Sequence, residues 1–140
     1  MFYRLSAHLV MRSRWRPYRA RPGERVLVLA GSGVFPPGHP TTRLCLDLLA
    51  QALAARPCHL LLDVGCGSGA LLLAGVAAGA ARGVGVDLHG PAVAATRKNA
   101  ATNALASAVQ VIQGSTEALR GPFPLMLANL PWAVQMIKAA

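Results

Sequence analysis

Acidic residues are scarce in this chain. Its 140 residues hold five Asp and Glu against fourteen Lys and Arg, a formal net charge of +9. That balance disfavours cationic partners and favours polyanions such as RNA or a ribosomal surface. Cysteine is also sparse. Cys45, Cys58 and Cys66 are odd in number and form no C-x-x-C pair, so neither a disulfide framework nor a zinc site is expected. They read as reduced thiols of a cytoplasmic protein. The four histidines are scattered, and no metal site is expected. No apolar run reaches the roughly eighteen residues a membrane span requires. The longest, Ala70 to Ala81, is interrupted by Gly75 and Gly79 and reads as a buried helix. No membrane partner is therefore expected.

What is present is apolar and compact. Hydrophobic residues make up 54% of the chain, enough for one domain with a real core. The organising stretch is Leu60-Leu61-Leu62-Asp63-Val64-Gly65-Cys66-Gly67-Ser68-Gly69-Ala70. It reads as a short buried strand, a glycine-rich turn and the start of an apolar helix. In an open α/β sheet, ligands bind beyond the carboxyl ends of the strands, where such a turn sits. Backbone without Cβ atoms can approach a ligand closely, and a helix N-terminus adds free N–H groups and positive potential. The spacing also satisfies a relaxed dinucleotide fingerprint, which alone is weak. Asp63 does not suit a pyrophosphate. A carboxylate there either holds the turn through backbone N–H groups or faces a cationic or amino-bearing ligand.

The chain divides into a basic arm, residues 1–24, and an α/β domain, residues 25–140. Seven arginines (Arg4, Arg12, Arg14, Arg16, Arg19, Arg21 and Arg25) precede Val26, with Tyr3, Trp15 and Tyr18 among them and only Glu24 opposed. Arginines with interleaved aromatics suit RNA. A solvated tail and an organelle presequence are the other readings, the latter weakened by sparse serine. Pro17 and Pro22 oppose a long helix. Residues 25–30 read as a strand and 31–40 as a loop. A helix capped by Thr41 or Thr42 runs to about Arg56, with Leu44, Leu48, Leu49 and Leu53 on its apolar face. After the glycine turn, the helix stops near Gly79. A strand follows over 83–87, then a helix opened by Gly90-Pro91 and ending near Asn103. Two further strands cover 109–113 and 123–129. The alternation predicts a parallel, doubly wound sheet.

Asp87 ends the strand after the glycine turn. A carboxylate there can accept from both hydroxyls of an adenosine ribose. The alternative is an acid that caps its own turn.

The segment Asp63-Val64-Gly65-Cys66-Gly67-Ser68-Gly69 resembles motif I of class I S-adenosylmethionine-dependent methyltransferases. His39-Pro40-Thr41-Thr42-Arg43-Leu44-Cys45-Leu46 resembles a segment of the ribosomal protein L11 methyltransferases. Asn129-Leu130-Pro131-Trp132 resembles the N-P-P-Y signature of methyltransferases that modify planar nitrogens. The resemblance implies a Rossmann-like sheet, with order 3-2-1-4 for its first four strands and truncation after the fourth. It implies S-adenosyl-L-methionine as cofactor, held by Asp63, Gly65, Cys66, Gly67, Gly69 and Asp87, with Thr41 and Thr42 near its methionine end. Ser115 stands where the family often has an adenine-contacting acid. Asn129, Leu130, Pro131 and Trp132 become the catalytic set, with Trp132 stacking on the planar acceptor.

The implied activity is N-methylation of a lysine, a glutamine or a nucleobase in a protein or RNA acceptor, with ribosomal acceptors in view. The family's separate substrate-recognition domain has no counterpart in the basic arm. Cys66 has no neighbouring base and is not expected to act as a nucleophile. Two rivals remain: an NAD(P)-binding oxidoreductase, and an inactive cofactor- or RNA-binding partner subunit. Self-association through the edge of the fourth strand is a further expectation.

Overall fold

The computed structural model describes residues 1–31 and 39–130. Among these residues, seven strands fall into two sheets. β1 (Phe2–Ser6), β2 (Leu9–Ser13) and β3 (Arg25–Leu29) form one, in that order. β4 (Leu61–Val64), β5 (Gly83–Asp87), β6 (Val109–Gln113) and β7 (Leu125–Ala128) form the other, in the order β6-β5-β4-β7 and all parallel. Numbered along this second sheet alone, that is the expected 3-2-1-4. Helices α1 (Pro40–Ala55), α2 (Ala70–Ala78) and α3 (Gly90–Thr102) complete the framework.

The first sheet corrects the expected division between residues 24 and 25. The basic arm holds two strands, and β3 pairs with β2 instead of opening the second sheet. Leu9, Val10 and Met11 are buried, and Leu9 and Met11 join the main core. The arginines hid a hairpin whose apolar residues pack inward. β2 and β3 run parallel, so the chain must return the length of the sheet between them. Residues 14–24 make that return without a helix.

α2 is apolar on every side, and such a helix must be buried all round. It contacts α1, β2, β3, β4 and β5, so the two sheets meet across it. Gly75 interrupts the apolar run in sequence but not the helix in space. A Cβ at Gly75 would lie 2.3 Å from Leu61 Cδ2, so its absence lets α2 sit close on β4. Side chains alternate along β4. Leu61 joins the core under α2, and Leu62 and Val64 join Val86 in a separate cluster with Leu119, Phe123 and Leu130.

α1 starts two residues earlier than a Thr41 cap would place it. His39, not a threonine, is its N-cap, and His39 Nδ1 accepts from the Thr41 N–H at 3.2 Å. Pro40 occupies the first helical position, where its missing N–H costs nothing. The proline supplies the physical reason, since its fixed φ sets the first turn two residues upstream of the one a Thr41 cap would open.

Candidate functional site

The sheet order creates a switch point. The chain leaves β4 through α2 toward β5, whereas β7 lies on β4's other side. Between the carboxyl ends of β4 and β7 opens a cleft, where open α/β sheets bind ligands. It is lined by Thr42, Asp63, Gly65, Cys66, Gly67, Ser68, Ala70, Leu71 and Asn129. Three segments separated widely in sequence therefore converge there: the start of α1, the glycine turn, and the end of β7.

The turn is tied to β5. The Gly65 and Cys66 N–H groups both donate to the Val86 carbonyl, at 2.7 and 3.1 Å. Gly65 adopts φ +72°, and a Cβ there would sit 2.2 Å from Leu130 Cδ2. Only glycine meets both demands. Leu130 thus packs against the turn, joining the fourth-strand motif to motif I.

Asp63 is 1% exposed. Its carboxyl is raised to about 7, chiefly by burial and in lesser part by the charge of Asp87. A hydrogen bond from the Leu72 backbone pulls the other way. Leu72 lies in the first turn of α2, whose N-cap Gly69 offers no side-chain acceptor. Asp63 therefore serves the Leu72 N–H at that helix start. Its Oδ2 is buried and has no hydrogen-bond partner among the described residues. A buried, orphaned carboxylate oxygen on a cleft wall suits a positively charged or N–H-bearing ligand group.

Asp87 takes the turn-capping role considered for it and adds one that was not. Its Oδ2 accepts from Gly67 N–H at 3.0 Å, and its Oδ1 accepts from His89 N–H at 2.9 Å. The acid caps its own turn and grips the glycine turn as well. Each oxygen retains a further lone pair.

Thr42 is buried, and its Oγ1 accepts from Asn129 Nδ2 at 3.3 Å. This contact joins two segments singled out in sequence on separate grounds. Thr41 is exposed and bonded to the His39 ring, with Oγ1 2.9 Å from Nδ1, so the two threonines part company. Cys66 turns its side chain into an apolar cluster with Leu72, Val93 and Val111. Burial pushes the thiol up to about 12. Ser115 is half-buried before a short 3-10 turn, Thr116–Ala118, beyond the end of β6 and away from the cleft lining. Pro131 and Trp132 lie outside the described residues.

Sequence reading missed the supports behind the turn. Thr96 Oγ1 donates to the Gly67 carbonyl at 2.8 Å, and Asn99 Nδ2 donates to the Ser68 carbonyl at 2.8 Å. Both side chains are buried. Their signal was a polar stripe at 96, 99 and 103 on one face of an alanine-rich helix.

Comparison with known proteins accounts for this arrangement. The family model described as ribosomal protein L11 methyltransferase (PrmA) matches residues 3–136. A ribosomal protein L11 methyltransferase of Geobacter metallireducens is 38% identical over 128 residues, covering 91% of this chain and 41% of the relative. That of Gloeobacter violaceus is 43% identical over 112 residues, covering 78% and 34%. The chain thus spans about two fifths of the length of the curated relatives it matches. Among solved structures, a ribosomal protein L11 methylase from Lactobacillus delbrueckii subsp. bulgaricus superposes with a TM-score of 0.83 at 26% identity. It covers 97% of this chain and 69% of that one. A SAM-dependent methyltransferase from Geobacter sulfurreducens, solved with S-adenosyl-L-homocysteine, shares the fold at a TM-score of 0.55 and 23% identity, covering 69% and 39%.

Proposed function

We propose a methyl-transfer function from the premise that this chain belongs to the ribosomal protein L11 methyltransferase family. It is an S-adenosylmethionine-dependent N-methyltransferase of the cytoplasm, and its acceptor is a side-chain nitrogen of ribosomal protein L11. The observation that carries this reading is the orphaned Asp63 Oδ2 in a cleft that also holds the glycine turn and Asn129.

The residues present suit the cofactor. Asp87 would accept from the ribose hydroxyls while still holding Gly67. The turn, free of side chains at Gly65, Gly67 and Gly69, would lie along the nucleoside. Asp63 and Thr42 would face the methionine end, with the Asp63 carboxylate opposite a positive charge. Thr41, Cys66 and Ser115 would contribute support to the turn and loop, Cys66 through its backbone. When bound, S-adenosylmethionine supplies a methyl group made electrophilic by its sulfonium.

The chain's part is positioning. Asn129 donates its amide N–H to Thr42, which leaves the amide oxygen to accept an N–H of the substrate and aim its nitrogen lone pair. A carbonyl of the Leu130-Pro131 segment would accept a second N–H, and Trp132 would stack on a planar acceptor. Orientation and electrostatics suffice, and no covalent enzyme intermediate is needed.

Asn129→Ala is expected to lower kcat by at least about a hundredfold, the scale of losing a hydrogen bond worth roughly 3 kcal/mol. Binding of S-adenosylhomocysteine should stay within a few fold. The assay transfers radiolabelled methyl to L11, with a release factor and RNA as competing acceptors. Methylation of RNA in preference to L11 would move the substrate to a nucleobase. Cofactor binding without transfer to any acceptor would favour a partner subunit. Preference for NAD would favour the oxidoreductase.

Self-association belongs to the same reading. Among the described residues β7 pairs only with β4, and Met126 on it is 57% exposed. Such an edge, with no charged side chain along it, invites a second strand.

A further inference from the structure

We infer that the crossover loop between β2 and β3 is a single-stranded RNA-binding surface, separate from the cleft. The loop is ordered by its own polar network. The Arg12 Nη1 donates to the carbonyls of Ser13, Arg14 and Arg16 at 3.1, 3.4 and 3.1 Å. At the loop's other end Glu24 gathers Arg4, the Tyr18 hydroxyl at 2.6 Å and the Arg21 N–H at 2.9 Å. These bonds, the Tyr18 hydroxyl first, hold the Glu24 carboxyl down to about 2. Its side chain is 1% exposed. The only acid of the segment is thus spent inside the loop and neutralises nothing outside.

What remains outward is basic and aromatic. Arg14, Arg16, Arg19 and Arg21 are exposed, and Trp15 is 82% exposed. The Arg14 guanidinium lies 4.9 Å from the Trp15 ring centre, and Arg16 lies 5.4 Å from the Phe2 ring. A large apolar ring left in water on a built loop costs hydrophobic free energy that a stacking partner would recover. Nucleobases stack on tryptophan whatever their sequence, while neighbouring arginines follow the phosphates.

The choice of cation favours RNA over an anionic membrane. Every basic residue before Val26 is arginine and none is lysine. The planar guanidinium binds phosphate through two parallel N–H groups and stacks on rings, which a lysine ammonium cannot do. A membrane surface would be served equally by lysine and by an amphipathic helix, and this loop, with Pro17 and Pro22, forms none. The inference does not depend on which acceptor the cleft methylates.

Fluorescence anisotropy of a labelled 12-nucleotide oligouridine, titrated with the whole chain at several salt concentrations, tests it. Binding should weaken as salt rises. Trp15→Ala should lose about 5-fold to 150-fold in affinity, the range for one stacked base. Joint replacement of Arg14, Arg19 and Arg21 by Gln should flatten the salt slope by about 2, at roughly 0.7 per phosphate contact on single strands. Circular dichroism confirms that each variant is folded. Absence of RNA binding, binding unchanged in both variants, or stronger binding to phosphatidylserine vesicles or an oligoglutamate peptide would each overturn the inference.

Discussion

Asp63 is the residue on which the site turns, because its burial has a consequence measurable without any substrate. Its carboxyl titrates near 7 in the folded chain against an ordinary value of 3.8. Between those values the native state holds a proton that the unfolded chain has lost. This group's effect is therefore a loss of stability as pH rises from about 4 to about 7, and no further change above. Asp63→Asn removes that slope, which urea unfolding at pH 5 and pH 8 would reveal. The same substitution should weaken S-adenosylmethionine, most strongly above pH 7, where the native carboxylate is charged. An unchanged slope in Asp63→Asn would place the titration elsewhere. The residue was legible in sequence because an acid at a strand end before three glycines is chemically odd. Its orphaned oxygen was not, since that depends on how α1 and α2 close over β4.

At the scale of elements, α3 does unexpected work. Asn99 exchanges hydrogen bonds with both backbone groups of Ala30, at 2.9 and 2.7 Å. Asn103 does the same with Val28, at 2.8 Å in each direction. Two amides one helical turn apart thus mimic a neighbouring strand along β3. Asn99 also reaches the Ser68 carbonyl, so it links the first sheet to the glycine turn. Asn99→Ala should cost about 1–3 kcal/mol for each buried group left unpaired. The midpoint of urea unfolding would fall accordingly, whereas Lys98→Ala on the exposed face should stay within about 0.5 kcal/mol. Equal effects would mean that the amide contacts carry no energy.

The elements themselves were unequally legible. β4, α2, β5, α3 and β6 follow from local pattern, since each carries its own glycine, proline or strand-end acid as punctuation. β1 and β2 did not, because Arg4 and Arg12 alternate with residues that only the finished core shows to be inward. The exchange between α3 and β3 is long-range, and no local period encodes it.

The whole molecule joins a basic three-stranded sheet to a cofactor-type sheet through one buried helix. With β7 pairing only β4 among the described residues, it is expected to associate at micromolar concentrations, read by light scattering. A monodisperse monomer at those concentrations would show that the edge is protected. The central claim is that the cleft between β4 and β7 is an S-adenosylmethionine site, and titration calorimetry tests it directly. S-adenosylmethionine and S-adenosylhomocysteine should bind with one-to-one stoichiometry, and NAD should not compete. Asp87→Ala should lower their affinity roughly tenfold to 150-fold, the worth of one hydrogen bond to a charged group. Binding of NAD in their place, or S-adenosylhomocysteine affinity unchanged in folded Asp87→Ala, would contradict the account.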